Sequence, residues 1–494
     1  MKKSKIFLIN GLFLTITTLI LRSVSLIFNI YIANKVGTEA IGIFSLLMSV
    51  YLFAITVTSS GIGIACTYLV SEEFAKKDYS SGIKAVKICL ILSIFVGIFT
   101  SILLNIAAPI ISRTFLKNAV SCIPIYCISL GLPLISVSSV INGYFSAVRK
   151  PYKSAISQIL ETLAKIFASI FLLTFLAPID IEIICLCLLL ADVISEIFSF
   201  TLNIVFYLID IRKYSNKRHI SNNVKKKIFN IAVPISITSC IRSGLSTLKQ
   251  FLIPARLSLS GMSYSLAVTN YGLIGGMVMP IIMFASVFIY SFSNLLIPEF
   301  CRLFTCKYFN RLKHICNIIF ELTAIFSLGI TAIFFLFAND ISFLVYKSIE
   351  SGKWLKILSP LIFFIYLDNI IDNMLKGINA QVSVMICNII DLAVTISIIF
   401  FIVPIWGLNG YIFSIFVSEF LNFAISSFQL RKNLHFSFNF QTYIIRPLIA
   451  CIASYFILII FRNFFENSLL QITIFSLLYF LITLFLYKFK QQNF

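Results

Sequence analysis

Charge is scarce in this chain. Only 12% of the 494 residues are Asp, Glu, Lys or Arg, and the 19 acids are outnumbered by 39 bases. Soluble domains carry about 25% charged residues, so one large water-soluble globule is excluded. Histidine is nearly absent: His219, His314 and His435 stand far apart in polar stretches. Most of the twelve cysteines lie singly in apolar runs (Cys66, Cys89, Cys127, Cys387), and the closest pair is Cys185-x-Cys187. No zinc spacing is present, and such thiols act as small hydrophobes, so no metal site built from Cys and His is expected. Also missing are a Gly-rich phosphate loop, a nucleophile with an adjacent base, and any long polar insertion. Connections such as "LKNAV" (116–120) and "LAPIDIE" (176–182) leave no room for an extramembrane catalytic domain. An enzyme is not expected.

Apolar residues fill the space that charge leaves. They make up 59% of the chain, and the mean hydropathy is +1.00. A helix needs about 20 apolar residues to cross a bilayer. On that rule about fourteen spans are predicted, near 6–33, 41–70, 83–111, 119–148, 152–177, 182–210, 228–254, 266–297, 315–338, 357–376, 381–404, 408–430, 442–462 and 468–487. The expected fold class is thus an all-α polytopic membrane protein. The opening "MKKSKIFLINGLFLTITTLIL" imitates a signal peptide, but no small-x-small cleavage site follows it. It reads as the first transmembrane helix.

Basic residues set the orientation. With the N-terminus inside, 27 of the 39 Lys and Arg fall in cytoplasmic tails and loops, 8 outside, and 4 within spans (Arg22, Lys165, Arg242, Lys249). The positive-inside rule then places both termini in the cytoplasm, with the protein in the cell membrane. This bias accounts for the net charge of +20 without nucleic acid, and a basic inner surface attracts anionic lipid headgroups.

Two halves of the chain resemble each other. "LRSVSLIFNIYIANKVG" (21–37) aligns with "IRSGLSTLKQFLIPARL" (241–257), setting Arg22 on Arg242 and Asn29 on Lys249. "SAISQILET" (154–162) aligns with "VMICNIIDL" (384–392), pairing Glu161 with Asp391, and "SEIFSF" (195–200) with "SEFLNF" (418–423), pairing Glu196 with Glu419. The offsets of 220, 230 and 223 residues each span six helices. An even number keeps both halves in one orientation, which is a parallel repeat of the kind secondary transporters use. Helices 1–6 (1–213) form a predicted N-lobe and helices 7–12 (228–433) a predicted C-lobe. A basic linker (214–227) joins them, and two further helices occupy 434–494.

Ionisable groups inside spans usually mark pathways. Arg22 and Arg242, at matching places in the two halves, suit an anionic substrate, because a guanidinium grips phosphate with two parallel hydrogen bonds. Lys249 and Asn29 complete the expected substrate cavity. Asp368, Asp372, Asp391 and Glu419 fall at similar depth, and Asp192 and Glu196 match them in the first half. Carboxylates crowded in a low dielectric bind a cation or hold a proton. These six are the expected cation-coupling residues, with Na⁺ and H⁺ both open. Glu161 and Lys165, four apart on one helix face, are expected to form a structural ion pair. No cofactor is expected.

Particular stretches also carry a family likeness. "INGYFSAVRKPYKSAISQILETLAKI" (141–166) resembles the G-Y-F … P … S-Q-x-x-E pattern of the stage V sporulation protein B group. That group belongs to the polysaccharide-exporter branch of the multidrug/oligosaccharidyl-lipid/polysaccharide (MOP) superfamily. "YGLIGGMVMPIIMFASVFIYSFSNLLIPEF" (271–300), with Gly272, Pro280, Asn294, Pro298 and Glu299, resembles its eighth helix, and "VGTEAIGIFSLLMSVY" (36–51) fits as well. The likeness runs from about residue 5 to about residue 435. Ser146 and Ala147 depart from the usual Gln-Gly, and Thr162 and Lys165 from a common Gln and Arg. The resemblance implies an alternating-access flippase related to those for peptidoglycan precursors. A cationic cavity containing Arg22 and Arg242 would hold the lipid pyrophosphate, and spans 442–487 would form a groove for the lipid tail. It implies a lipid-linked glycan, membrane lipids and envelope-synthesis proteins as partners. Two alternatives stay open, a cation-coupled drug or metabolite exporter of the same superfamily and a membrane scaffold for envelope synthesis.

Orientation can be checked directly. Single cysteines placed at Lys76, Arg149 and Lys226 in a background without the native cysteines should resist impermeant thiol reagents in intact cells. Cysteines at Lys117 and Lys353 should react. Labelling at position 226 from outside would overturn the span assignment.

Overall fold

The computed structural model describes residues 2–76, 78–176, 180–212, 224–434, 440–461 and 467–492, and among them helix is the only regular element. The physical reason lies in the composition: apolar stretches this long must satisfy their own backbone, and in hydrocarbon a helix does so within one segment. Six helices open the chain: α1 (Lys2–Val36), α2 (Thr38–Ala75), α3 (Tyr79–Ile110), α4 (Ile123–Ala147), α5 (Pro151–Phe175) and α6 (Ile181–Ile211). They are followed by α7 (Val224–Leu259), α8 (Tyr264–Tyr271), α9 (Met279–Thr305), α10 (Phe309–Leu336), α11 (Ala338–Tyr346) and α12 (Ile349–Leu358). The last five are α13 (Leu361–Gly377), α14 (Gln381–Phe401), α15 (Val403–Leu434), α16 (Arg446–Phe461) and α17 (Ser468–Gln492).

Among the described residues thirteen helices are long and apolar enough to cross a membrane, and a fourteenth candidate is broken. The span expected at 357–376 is that exception. There α12 and α13 meet at 57°, at a break carrying Ser359 and Pro360, whose ring removes a backbone donor and crowds the preceding turn. A π-helical segment joins α8 to α9 at Gly272–Val278, and others extend the end of α3 at Ile111–Phe115 and lead into α16 at Gln441–Ile445. A kink in α15 falls at Gly407, whose φ of 55° and ψ of −132° suit a residue without Cβ.

Packing divides the chain into two units. The first comprises Met1–Phe28 and Val36–Gly272, the second Asn29–Lys35 and Leu273–Phe494. The expected linker lies largely outside the described residues. The units part after Gly272 and not at the linker, since α7 packs on α2. The cause is close backbone approach. A Cβ on Gly61 would lie 2.3 Å from the Ala232 carbonyl oxygen, so glycine lets the two helices touch. Thr247 then donates to the Ser49 carbonyl at 3.0 Å, and Lys227 reaches Glu72 at 3.2 Å. Within this unit α2, α3, α4, α6 and α7 share an apolar core around Leu69, Val86, Cys89, Ile141, Tyr144 and Ile228.

In the second unit α13 is the central helix, packed by α9, α10, α14 and α15. Its Tyr366 is fully buried and donates to the Ile282 carbonyl at 2.7 Å. The helix pair expected beyond residue 434 is present as α16 and α17, docked on α10. A dry cluster of Phe337, Cys451, Leu458, Phe475 and Tyr479 holds it there, and Tyr479 donates to the Ile325 carbonyl at 2.7 Å.

Candidate functional site

In the first unit α5 and α6 bring four ionisable groups together. Lys165 forms a salt bridge with Asp192, which is 5% exposed. This corrects the expected Glu161–Lys165 pair. The more deeply buried carboxylate stands to lose more without a cation, and Glu161, only half-buried, sits beside Ser199. Glu196 completes the group. Tyr51 of α2, 3% exposed, lies among Glu161, Asp192 and Glu196, and its buried hydroxyl has no hydrogen-bond partner. Sequence reading passed over Tyr51, because one tyrosine in an apolar run carries no local signal.

The second unit repeats the arrangement with different chemistry. Asp391 of α14 accepts from Ser418 of α15 at 2.7 Å and from Thr395 at 3.3 Å. Asp368 of α13 accepts from Asn422 of α15 at 2.8 Å. Around Asp368 stand Asp372, Glu419 and Asp391, so the four acids expected together are together. The other Asp368 oxygen is buried without a hydrogen-bond partner, as is Oδ1 of Asn422. The offset of 230 that places Glu161 on Asp391 also places Lys165 on Thr395. The lysine that answers the first unit's acids thus has a hydroxyl in its place in the second. Among the described residues no three of His, Cys, Asp and Glu are grouped so as to hold a metal ion.

The expected cavity residues sit on α1 and α7. Arg22 and Arg242 are both exposed side chains, and both belong to the first unit. At about 100° per residue, Arg242 and Lys249 share one face of α7. That face is turned by roughly 120° from the one that Ala232, Ser236 and Thr247 turn to α2. Lys249 is half-buried. Asn29 is exposed and lies in the short part of α1 that groups with the second unit, where Asn34 anchors the helix by donating to the Val345 carbonyl at 2.8 Å.

A polar knot at one end of the first unit was not foreseen. Asp210, 1% exposed at the end of α6, receives Lys150 at 2.6 Å, Lys153 at 3.2 Å and the Tyr144 hydroxyl at 3.1 Å. It ties α4, α5 and α6 together. In the sequence both lysines look like ordinary loop charge, and only the fold delivers them to one carboxylate.

Residues 7–304, more than half of the chain, match the family described as "Polysaccharide biosynthesis protein". The chain belongs to that family. It is 23% identical over 450 residues to the stage V sporulation protein B of Bacillus subtilis (strain 168), covering 88% of this chain and 86% of that one. It is 21% identical over 361 residues to the sporulation protein YkvU of the same organism, covering 71% and 78%. Among solved structures it matches an outward-facing multidrug resistance MATE family transporter of the MOP superfamily. The TM-score is 0.63 at 16% identity, over 86% of this chain and 95% of that one. An inward-facing MATE structure matches at 0.62 and 15%, over 85% and 98%. The fold is therefore that of the MOP superfamily, in a multi-pass membrane protein.

The Lys165–Asp192 pair has a measurable consequence. Lys165→Met leaves a buried carboxylate without its cation and should cost about 3–5 kcal/mol. Lys165→Met with Asp192→Leu should recover most of that loss. Thermal unfolding in detergent reads both, and equal losses in the single and double variants would show that the pair contributes nothing.

Proposed function

We propose that this protein is a MOP-type transporter that moves a lipid-linked oligosaccharide across the cytoplasmic membrane by alternating access, without enzymatic chemistry. The observation that carries this is the pair of exposed guanidiniums, Arg22 and Arg242, retained on helices otherwise suited to hydrocarbon. A charge at bilayer depth costs at least ~2.5–3.5 kcal/mol, and a cavity that receives an anion is where such a cost is offset. A lipid diphosphate is the anion that fits, since each guanidinium gives it two parallel hydrogen bonds. The family's description and the names of the two sporulation relatives support a glycan cargo over a drug. By this reading the cargo is a peptidoglycan precursor or another envelope unit, and envelope-synthesis proteins are its suppliers or acceptors. Lys249 and Asn29 are the further residues that this reading assigns to the cargo.

The proposed coupling ion acts in the second unit, where Asp368, Asp372, Asp391 and Glu419 gather and Thr395 replaces the resident lysine. Two buried orphan oxygens, on Asp368 and Asn422, supply acceptors for Na⁺ or H⁺. Asp192 and Glu196 are poorer candidates, because Lys165 already occupies their cluster. A cation-coupled multidrug or metabolite antiporter is the second reading, favoured by these acids together with the likeness to MATE transporters.

Proteoliposomes carrying a fluorescent lipid-linked oligosaccharide test the cargo. Arg22→Ala and Arg242→Ala should each slow flipping by about 10–100-fold, the worth of a charge-assisted hydrogen bond, while the protein still folds and inserts. Lysine should restore activity only in part, for it lacks the bidentate fork. Full flipping by the double alanine variant would reject the proposal.

Coupling is tested separately. Asp368→Asn should flatten the response of flipping to a Na⁺ or H⁺ gradient more than it lowers the melting temperature. An unchanged response would make Asp368 structural.

A further inference from the structure

Buried polar atoms that make no hydrogen bond of ordinary geometry are scattered thinly through this chain and gather at one place. Among the described residues there are fourteen, and five belong to Asp368, Asn422, Ser426, Ser427 and Gln429, all on α13 and α15. Native interiors answer their polar groups with protein, water or an ion, so five on one helix pair point to a ligand. We propose that this junction is a one-sided passage by which the coupling cation, with its water, reaches and leaves Asp368. The inference rests on the reading of Asp368 as a coupling residue and adds the route that the ion takes.

The route follows from helix geometry. α13 and α15 run in the same direction, because a single helix, α14, crosses back between them. Asn422 donates to Asp368 at 2.8 Å, which sets the register. One turn further along the two helices come Asp372 and Ser426, and Ser426, fully buried, stands beside Asp368. The next turn brings Gln429, which donates to Cys387 of α14 at 3.0 Å, and Lys376, which reaches Asn373 at 3.4 Å. At 1.5 Å per residue, Asp368, Asp372 and Lys376 lie about 15, 9 and 3 Å from the α13–α14 turn at 378–380. Exposure rises along that line, for Asp368 is buried and the other two are half-buried. An oxygen without a regular partner recurs at each level: Asp368 Oδ1 and Asn422 Oδ1, then Ser426 Oγ, then Gln429 Oε1. Oxygens repeated at such intervals let a cation exchange its water stepwise.

Along α13 the other direction is apolar. The stripe that carries Asp368, Asp372 and Lys376 has Phe364 one turn before Asp368. Its ring packs on Phe420 at 5.7 Å and on Phe423 at 5.5 Å, and Phe363 meets Phe423 at 6.5 Å. Hydrophobic constrictions shed water and close to ions. Exchange therefore runs toward the turn at 378–380, which is the cytoplasmic side by the basic-residue bias.

Silver ion tests the passage, because it is a monovalent cation that bonds to thiols. In full-length protein without its native cysteines, Ser426→Cys is given Ag⁺ from one side or the other of oriented membrane vesicles. Loss of maleimide labelling after denaturation reads the reaction. Ag⁺ from the side of the 378–380 turn should react about tenfold faster than from the opposite side, a barrier difference of about 1.4 kcal/mol. Gln429→Leu, which removes one oxygen of the file, should slow that reaction by a similar factor. Cys451, retained alone in its dry cluster, should stay unreacted. Equal rates from both sides, or no reaction from either, would overturn the passage. So would a full rate with Gln429→Leu, or reaction of Cys451 at the rate of Ser426→Cys. Should Ser426→Cys fail to insert, the native thiol of Cys387, retained alone, takes the same reading. The gradient response of Asp368→Asn keeps the two ideas apart. A flattened response with Ser426→Cys unreached would reject the passage and keep the coupling role. An unchanged response with Ser426→Cys reached from the turn side would support the passage and reject the coupling role.

Discussion

Hydrocarbon offers no hydrogen-bond partner, and every polar group in this protein is arranged around that fact. The backbone answers by forming helix. Hydroxyls answer by donating to their own helix one turn back, as Thr56 does to Leu52 at 2.8 Å and Thr100 to Val96 at 2.8 Å. Carboxylates have no proton to donate and draw donors from neighbouring helices as well as their own, as Asp391 does from Ser418 and Thr395. This is why the acids mark the places where α5 meets α6 and where α13, α14 and α15 meet, and why those junctions hold the candidate chemistry.

The two halves solve the same problem with different residues. Glu161 and Asp391 occupy matching positions, each beside a hydroxyl of the partner helix, Ser199 in one case and Ser418 in the other. One turn further along, the first half has Lys165 and the second Thr395. The lysine pairs with Asp192 across the α5–α6 junction and braces it, although the second Asp192 oxygen stays buried without a hydrogen-bond partner. In the second, the Thr395 hydroxyl donates to Asp391, and Asp368 Oδ1 lies buried among the acids. Divergence at one position thus gives one cluster a resident cation and the other a hydroxyl.

Charge at the helix ends has a separate role. Asp210 gathers Lys150 and Lys153, and Glu72 receives Lys227, so the ends of α2, α4, α5, α6 and α7 are held within the first unit. That leaves the exposed face of α7, with Arg242, as surface that this unit does not consume. In the second unit α16 and α17 dock on α10, beyond what a two-lobed repeat requires.

Span count, helical class, the repeat and the gathering of Asp368, Asp372, Asp391 and Glu419 were all legible in the sequence. Each follows from local rules: hydropathy over about 20 residues, and the cost of placing a carboxylate in an apolar run. The partner of Lys165 was not legible, because a four-residue spacing says which groups share a face but not what the neighbouring helix presents. Nor was the allegiance of α7, which turns on Gly61 meeting Ala232 across 171 residues of chain. The convergence on Asp210 escaped for the same reason, whereas the break between α12 and α13 carried a local mark in Pro360. A sequence specifies where helices run and which residues resist lipid. The rotation of each helix about its axis, and so every polar partner, is settled only when backbones pack against one another.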